Sequence, residues 1–379
     1  MSKKEAVRLH PLQLLVLSLL LVVLIGWLLK IGQSLLLPIF MALISVYVLV
    51  EMAKWLRRVP VIGRAPEWAR RLIVLLGFVG TMAILTAIVI GTAQDIMNTA
   101  PAYQGNLMRL VSQVANWAGV DTIPDWPTIR ASTLDKIDLQ MLLGVVLNSV
   151  GSLAGVVTMI VIYALFLLGE RGGFARKLSV ALPGDGAEQT SKMIDDINEK
   201  IGDYLAVKTL INVILAGISW AIMWLCDVDY ALFWALVIGS LNYIPYLGSF
   251  LGVVFPVLLT LAQFGSIQTT LLVAGLLTAA QMYVGNVLEP KMIGKQVNLS
   301  PFVVMVALSL WSALWGVAGA ILAIPLTVII AIVLAEFDAT RPLAVLLAED
   351  VSEYEKGQKT TMQAAASGRS SARPEAWER

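Results

Sequence analysis

Six polar side chains stand out because they interrupt long uncharged stretches in the second half of the chain. They are Asn242, Tyr243, Gln281, Asn286, Glu289 and Thr327. Amides, hydroxyls and one carboxylate can hydrogen-bond a small solute, but they offer no nucleophile with a paired base. Glu289 is the only carboxylate between residues 230 and 335. We therefore predict that these six residues line a pathway for a small, neutral, polar solute.

Each of these residues also has a structural role open to it. Asn242 can cap a broken helix, and Gln281 can bond to a neighbouring helix. The proline after Glu289 disfavours helical geometry before it, so a helix is expected to end there. Glu289 then either sits at the cytoplasmic interface, where it pairs with Lys291 or caps a neighbouring helix, or it gates the inner mouth of the pathway with Asn286, which shares its helical face.

Several kinds of chemistry are excluded by what the chain lacks. It has one histidine, His10, and one cysteine, Cys226, so neither a His/Cys metal site nor an internal disulfide can form. His10 has no partners for a Ser/His/Asp triad, and no GxxxxGK[ST] loop is present to bind ATP. No basic stripe interleaved with aromatic residues predicts a nucleic-acid partner. We expect a protein that is not an enzyme and holds no metal or cofactor.

The elements that must position the polar residues are membrane-spanning helices. Only 14% of the residues are charged and the mean hydropathy is +0.80, whereas soluble domains have about 25% charged residues. A helix needs about 20 apolar residues to cross the hydrocarbon core. Uncharged runs of about that length or more occupy 12–29, 31–50, 72–94, 139–169, 209–226, 230–288 and 296–335. The sequence predicts an all-α, polytopic membrane domain over 12–335, embedded in the lipid bilayer.

Two apolar segments in the C-terminal half, 230–266 and 300–335, are too long for one span and short for two. Each is broken near its middle by residues that let the backbone turn. Both are therefore either re-entrant hairpins or long single spans. If both are hairpins, the 289–299 loop with its two lysines is cytoplasmic, whereas long single spans put it outside. Because lysine and arginine concentrate in cytoplasmic loops, their distribution favours the hairpins. The residues expected to shape these segments are Pro245, Gly248, Pro301, Gly316, Gly319 and Pro325.

Lysine and arginine concentrate in cytoplasmic loops, which orients the chain. The N-terminus 1–11, the 51–71 loop, the 170–208 segment and the tail 336–379 are basic and are predicted to be cytoplasmic. The more acidic segment 93–138 is predicted to be an external helical cap. The tail loses its apolar residues and is predicted to be disordered from about residue 350.

The 170–208 segment contains an amphipathic helix. Ile194, Ile197 and Ile201 recur at helical spacing, with charged residues on the other faces. We expect this helix to pack against its own bundle or to lie at the membrane surface. Tyr204 and Lys208, at the start of the next span, are interpreted as anchors at the lipid interface rather than as solute contacts.

Three ordered motifs carry a family resemblance. Residues 242–249 read NYIPYLGS, residues 285–295 read GNVLEPKMIGK, and residues 299–327 contain LSP, LWSALWG and IPLT in that order. They resemble the signatures of the autoinducer-2 exporter family, also called PerM-type permeases. Tyr246, Leu247 and Ser312 depart from the residues common there, which bears on substrate choice.

The resemblance implies a bacterial inner-membrane protein, often counted as eight membrane segments, that assembles as a homo-oligomer. Some relatives are linked to export of the quorum-sensing signal autoinducer-2 and others to sodium/proton antiport. Cation-coupled transporters usually place carboxylates within the membrane, and this chain has few. We therefore predict an exporter of a small polar solute such as autoinducer-2, working by alternating access without ATP hydrolysis. A sodium/proton antiporter, with a proton or sodium as coupling ion, and a non-transport scaffold or channel remain the alternatives.

Overall fold

The computed structural model describes residues 10–57, 66–117, 157–167, 185–293, 297–337 and 339–352, with the single residues 155, 169 and 177. All regular secondary structure in these residues is helical. Within them, six helices are long and apolar enough to cross a membrane. The predicted all-α, polytopic membrane fold is confirmed, while the count of about eight segments stays a prediction.

The helices are numbered here in chain order. They are α1 Pro11–Ile31, α2 Gln33–Leu56, α3 Glu67–Trp117, α4 Val157–Leu167, α5 Asp185–Leu225, α6 Ala231–Leu241, α7 Leu247–Phe264, α8 Ile267–Tyr283, α9 Glu289–Ile293, α10 Pro301–Glu336 and α11 Arg341–Leu347. A π-helical turn, Val284–Leu288, joins α8 to α9. The predicted end of this helix at Glu289 is therefore wrong. The π turn shifts the hydrogen-bond register just before Pro290, with the Glu289 N–H donating to the Val284 carbonyl, and this accommodates a residue that has no N–H of its own.

Helix α3 is longer than a membrane span. Its apolar part is Leu72–Ile96, and the helix then continues to Trp117. We call residues 97–117 the α3 extension. The predicted external cap, 93–138, thus begins as a continuation of this helix, and its remainder lies outside the described residues.

Helix α5 joins two segments that the sequence suggested were separate. It is 41 residues long and contains both the amphipathic segment from residue 185 and the following apolar span. Residues 170–184 lie outside the described part of the chain, apart from 177. Ile201 and Leu205 are buried against the C-terminal helices. Tyr204 and Lys208 are also buried, so their predicted role as anchors at the lipid interface is wrong.

Helices α6 and α7 form an antiparallel pair, which we call the first hairpin. The backbone N–H of Asp229 donates to Gln263 Oε1 at 2.8 Å, and Gln263 Nε2 donates to the Asp227 carbonyl at 2.8 Å. These bonds bring the two ends of the 230–266 segment together. A long single span would separate them, so this segment is a helical hairpin.

The tip of the first hairpin reverses the chain within a few residues. Tyr246 takes a left-handed φ of 60°, which costs a non-glycine residue energy. Two residues later, a Cβ on Gly248 would overlap the Leu241 carbonyl oxygen. Gly248 is therefore required by close backbone approach, whereas the positive φ falls on Tyr246.

The segment numbered α10 consists of two helical arms, because the chain reverses at Gly316, with φ 64° and ψ −142°. We call this segment the second hairpin. Trp311 Nε1 donates to Thr327 Oγ1 at 3.2 Å, although a straight helix would hold residues 16 apart at about 24 Å. A Cβ on Gly319 would overlap the Trp311 carbonyl oxygen. At the base, the Ser300 N–H donates to the Leu347 carbonyl at 3.0 Å.

The bases of the two hairpins lie at different levels along α5. The base of the first lies just after Leu225, where α5 ends. The base of the second packs through Leu299 and Val328 against Ile201, near the middle of α5. Between them, Ile244 at the first tip packs into the apolar cluster of the second hairpin. The placement of these hairpins in a membrane, and of both termini, stays a prediction.

Candidate functional site

One face of α5 carries buried polar side chains in an otherwise apolar span. Lys208, Asn212 and Ser219 are 4%, 3% and 1% exposed. They are four and seven residues apart, so they lie on the same side of the helix. Their apolar neighbours Ile211 and Leu215 belong to the core that α5 shares with α6 and α8. Burying polar groups here is costly unless they find partners.

Lys208 is paired with the carboxylate of Glu289, at 2.6 Å between Nζ and Oε1. The lysine side chain is 4% exposed and the glutamate side chain 30%. The π-helical turn immediately precedes Glu289. The expected pairing of Glu289 with Lys291 is therefore wrong. Asn286, within the π turn, is exposed and is not part of this contact.

The tip of the first hairpin is hydrogen-bonded to α5. The hydroxyl groups of Tyr243 and Thr209 are 2.8 Å apart. Thr209 already donates to a backbone carbonyl one turn earlier, so Tyr243 is the donor between them. Asn242 Nδ2 donates to Asn212 Oδ1 at 2.8 Å, and Ser249 Oγ donates to Asn242 Oδ1 at 3.4 Å. Both predicted residues of the tip thus lie beside the polar face of α5.

Several buried polar atoms near this face have no hydrogen-bond partner in the described part of the chain. They are Asn212 Nδ2, Ser219 Oγ, Trp234 Nε1 and Gln281 Nε2. Asn212 Nδ2 lies near the Tyr243 hydroxyl, but the geometry between them is not that of a hydrogen bond. The Gln281 amide lies against Gly252 of the first hairpin. An unsatisfied buried polar atom costs roughly 1–3 kcal/mol, and an acceptor oxygen beside any of these donors would remove that cost.

These groups follow one another along the helix axes. With the α-helical rise, Asn212 lies about 6 Å and Ser219 about 16 Å from the level of Lys208, and Gln281 lies roughly 12 Å from Glu289. We call Lys208, Asn212, Ser219, Asn242 and Gln281 the polar ladder. It extends from the Lys208–Glu289 ion pair toward the base of the first hairpin.

At that base, the α3 extension is hydrogen-bonded to the first hairpin. The Tyr103 hydroxyl donates to Asp229 Oδ2 at 2.7 Å, and Asn106 Nδ2 donates to the Gln263 carbonyl. Burial, and then the hydrogen bond to Asp229, raises the pKa of Tyr103 above its usual range. Tyr103 therefore stays protonated and keeps donating. Side-chain contacts thus lie beyond both ends of the polar ladder.

The other predicted pathway residue, Thr327, is used inside the second hairpin. Its hydroxyl donates to the Ala323 carbonyl at 2.6 Å and accepts from Trp311 Nε1 at 3.2 Å. The bond to Trp311 joins the two arms of the hairpin. Thr327 is therefore not part of the polar ladder.

The residues predicted to shape the backbone are distributed over both hairpins. Pro301 is the first residue of α10, after the capping Ser300. Pro325 is buried inside α10. Pro245 and Gly248 form the first tip, as Gly316 and Gly319 form the second. Each hairpin is therefore turned by residues of the kinds that the sequence indicated.

Reasoning from the sequence missed the contribution of α5. Lys208 contacts α9, while Thr209 and Asn212 contact the tip of the first hairpin. Ser219, and Trp234 on α6, are buried without a hydrogen-bond partner in the described residues. One signal was present, because Asn212 and Ser219 are seven residues apart within an uncharged run. Helical spacing predicts that they share a face, although it does not say what that face contacts.

Comparison with known proteins identifies similar chains over most of this length. A family model described as "AI-2E family transporter" matches residues 17–338. The AI-2 transport protein TqsA of Escherichia coli (strain K12) is 27% identical over 91% of this chain and 98% of its own length. A putative transport protein of Borreliella burgdorferi is 34% identical over 51% of this chain and 53% of its own. The putative permease PerM of Escherichia coli (strain K12) is 24% identical over 79% and 86%, respectively.

Proposed function

Because the chain belongs to the AI-2E transporter family and is a multi-pass membrane transporter, we propose that it exports a small, oxygen-rich polar solute along the polar ladder. One relative, TqsA, is named as an AI-2 transport protein, so autoinducer-2 is the first solute to test. The proposal places the protein in a bacterial inner membrane with both termini cytoplasmic, as a homo-oligomer.

The observation that carries the proposal is the set of unpartnered polar atoms in the ladder. Asn212 and Ser219 are almost fully buried, yet Asn212 Nδ2 and Ser219 Oγ have no partner in the described residues. Gln281 Nε2 faces the same region from α8. A solute with several carbonyl or hydroxyl oxygens would satisfy these atoms in turn as it moves along α5.

Closure at both ends supports alternating access. The Lys208–Glu289 pair closes the end near the second hairpin's base, and the α3 extension closes the end near the first hairpin's base. Opening either end requires breaking only a few polar contacts. We propose Glu289 as the movable partner at its end because it is the more exposed of the pair, with Asn286 beside it at the mouth. The sequence contains no ATP-binding loop that would power this movement.

A second candidate, sodium/proton antiport, is favoured by the Lys208–Glu289 pair itself. Buried ionisable groups in membrane helices commonly mark ion or proton pathways. In this alternative Glu289 exchanges a proton as it separates from Lys208. Neutralising Glu289 would then abolish the activity, whereas changing Asn212 would have little effect.

Flux measurements in proteoliposomes test the proposal. Autoinducer-2 and ribose would be supplied under imposed proton or sodium gradients, to the wild type and to Asn212→Ala and Gln281→Ala. We expect both variants to weaken the apparent solute affinity about tenfold, the loss of roughly one hydrogen bond to a solute. Ser309→Ala is the control, because Ser309 is exposed and bonds only within its own helix.

Two results would overturn the exporter proposal. One is unchanged affinity in both folded variants, which removes the ladder from the pathway. The other is gradient-driven sodium or proton exchange in the absence of any solute, which favours the antiporter.

A further inference from the structure

The tip of the second hairpin is held by the C-terminal end of α1. Lys30 Nζ donates to the Leu314 carbonyl at 2.7 Å and to the Ala313 carbonyl at 3.3 Å. In return, Trp315 Nε1 donates to the Leu29 carbonyl at 3.0 Å. Three consecutive positions of the tip and two of α1 are thus joined by three hydrogen bonds, between elements more than 280 residues apart in sequence.

The two carbonyls are available because the helix breaks immediately after them. In an uninterrupted helix they would accept from residues 317 and 318. Gly316, with its left-handed φ of 64°, turns the chain before those residues can do so. The last carbonyls of a helical arm have no partner within the arm, and they lie at the negative end of its dipole. The Ala313 and Leu314 carbonyls therefore form an electronegative pair at the hairpin tip.

Carbonyl oxygens at the C-terminal end of a broken helix are a recognised ligand set for sodium in membrane transporters. Here the ammonium group of Lys30 sits within hydrogen-bonding distance of two of them. We propose that the tip of the second hairpin is a monovalent-cation site that the chain fills with its own Lys30. The site would accept sodium or a small alkylammonium ion once the lysine side chain is removed.

Helix α1 is suited to act as a tether for this cation. Most of its apolar side chains are exposed, including Leu15, Val22 and Trp27. Its end near Lys30 is the part fastened to the hairpin, where Leu29 packs into the same cluster as Trp315. A covalently attached cation has a high local concentration. The second hairpin would therefore keep its conformation without any dissolved coupling ion at this tip.

Thermal unfolding of the purified full-length protein in detergent tests the inference without a transport assay. Lys30→Ala would be compared with the wild type in sodium chloride and in choline chloride at equal ionic strength. We expect the variant to melt about 2–6 °C lower than the wild type in choline chloride. Sodium or ethylammonium should restore this loss saturably, while the wild type responds equally to sodium and choline.

Three further variants make the outcome decisive. Lys30→Gln keeps hydrogen-bond donors without the charge and should also depend on the added cation, whereas Lys30→Arg should behave as the wild type. Lys291→Ala is the control for losing an exposed lysine, because Lys291 lies on α9, which packs at the base of the second hairpin rather than at its tip. If both Lys30→Ala and Lys30→Gln melt identically in sodium and choline, Lys30 is an ordinary helix cap only and the inference is overturned.

A Lys30→Ala protein that cannot be purified leaves the decision to Lys30→Gln under the same two salts. The inference rests on the proposed function only for its link to coupling. Because the readout is stability in the absence of solute, its failure is distinguishable from failure of the exporter proposal.

Discussion

The first and second hairpins solve the same backbone problem with different side chains around them. Each reverses an apolar segment, and each places a glycine, Gly248 or Gly319, where a Cβ would overlap a carbonyl of the incoming arm. The first tip then binds α5 through Asn242 and Tyr243. The second is hydrogen-bonded to the end of α1 and packs Trp315 against aromatic and aliphatic neighbours. The two backbone turns are alike, but the first tip contacts the polar face of α5, and this is why we propose that the first hairpin contacts solute.

The bases of the hairpins differ as well. The first base is fastened by the α3 extension, a segment distant in sequence, through Tyr103. The second base is fastened by the chain that directly follows it, where the Asn298 side chain bonds to the backbone of residues 349 and 350. A contact with a distant segment can be made and broken as helices shift. The contact at the second base joins neighbouring parts of the sequence and is better suited to hold that hairpin in one position.

The largest effects should come from the feature that the hairpins share. Gly248→Ala and Gly319→Ala each place a methyl group onto a backbone carbonyl, so we expect each to destabilise the protein by at least about 3 kcal/mol. Folded yield and thermal unfolding in detergent measure this loss. The control is Gly275→Ala in α8, where a Cβ meets nothing within 4 Å.

Gly275→Ala should be neutral or slightly stabilising, because alanine is the better helix former. The larger side chain of Gly248→Val would make the same overlap, so we expect this variant to fail to fold normally rather than to lose transport alone. Native stability in Gly248→Ala but not in Gly319→Ala would break the equivalence of the two turns.

The next effect concerns the ion pair near the first tip. Glu289→Gln leaves Lys208 buried without its partner, which should cost roughly 3 kcal/mol. Lys208→Met leaves only the partly exposed Glu289, and should cost about 1 kcal/mol. The double variant should recover most of the loss seen in Glu289→Gln. A double-mutant cycle by thermal unfolding measures the coupling, and a coupling near zero would contradict a closed ion pair.

A smaller effect separates the chemistry of the two tips. Trp311→Phe removes the bond to Thr327 and should cost about 1 kcal/mol without changing apparent solute affinity. Asn242→Ala should cost a similar amount of stability and also weaken apparent affinity about tenfold. Paired unfolding and flux measurements test this. If affinity falls equally in both variants, the assignment of solute contact to the first hairpin alone is wrong.

The smallest effect is expected at the base of the first hairpin. Tyr103→Phe removes the bond to Asp229 and should cost less than about 1 kcal/mol at neutral pH. The pKa of Tyr103 is raised in the folded state, so its contribution is complete below its ordinary value near 10 and is lost as pH rises further. Unfolding scans should show the wild type losing its advantage over Tyr103→Phe only above about pH 10.

Local features of the sequence predicted both hairpins. The lengths of 230–266 and 300–335, with a proline or glycine break in each, left either a hairpin or a long single span, and the distribution of lysine and arginine over the loops favoured the hairpin. The antiparallel contacts at Gln263 and Thr327 agree with that reasoning. Family motifs then identified the transporter class.

Contacts between distant segments were beyond the sequence. Lys208 was interpreted as an anchor at the lipid interface because it follows a charged helical segment. The fold shows that it is paired with Glu289, 81 positions later in the sequence. Thr327 was predicted to line the pathway because it is polar, but its hydroxyl is hydrogen-bonded within its own hairpin. A single chain gives no signal for such pairings, because spacing reports faces of one helix and not their neighbours.

The π-helical turn at Val284–Leu288 determines the direction in which Glu289 points. A π turn accommodates one more residue than an α-helical turn in the same length of helix. Deleting a single residue from it, for example Val287, would let α8 and α9 fuse into one regular helix. Side chains beyond the deletion would keep their orientation, because the deletion removes only the residue that the π turn accommodates, and Glu289 would still point at Lys208. If every codon is kept but the turn is forced into α-helical geometry, Glu289 is instead rotated by about 100°, away from Lys208. The ion pair therefore requires the π turn for as long as the extra residue is present.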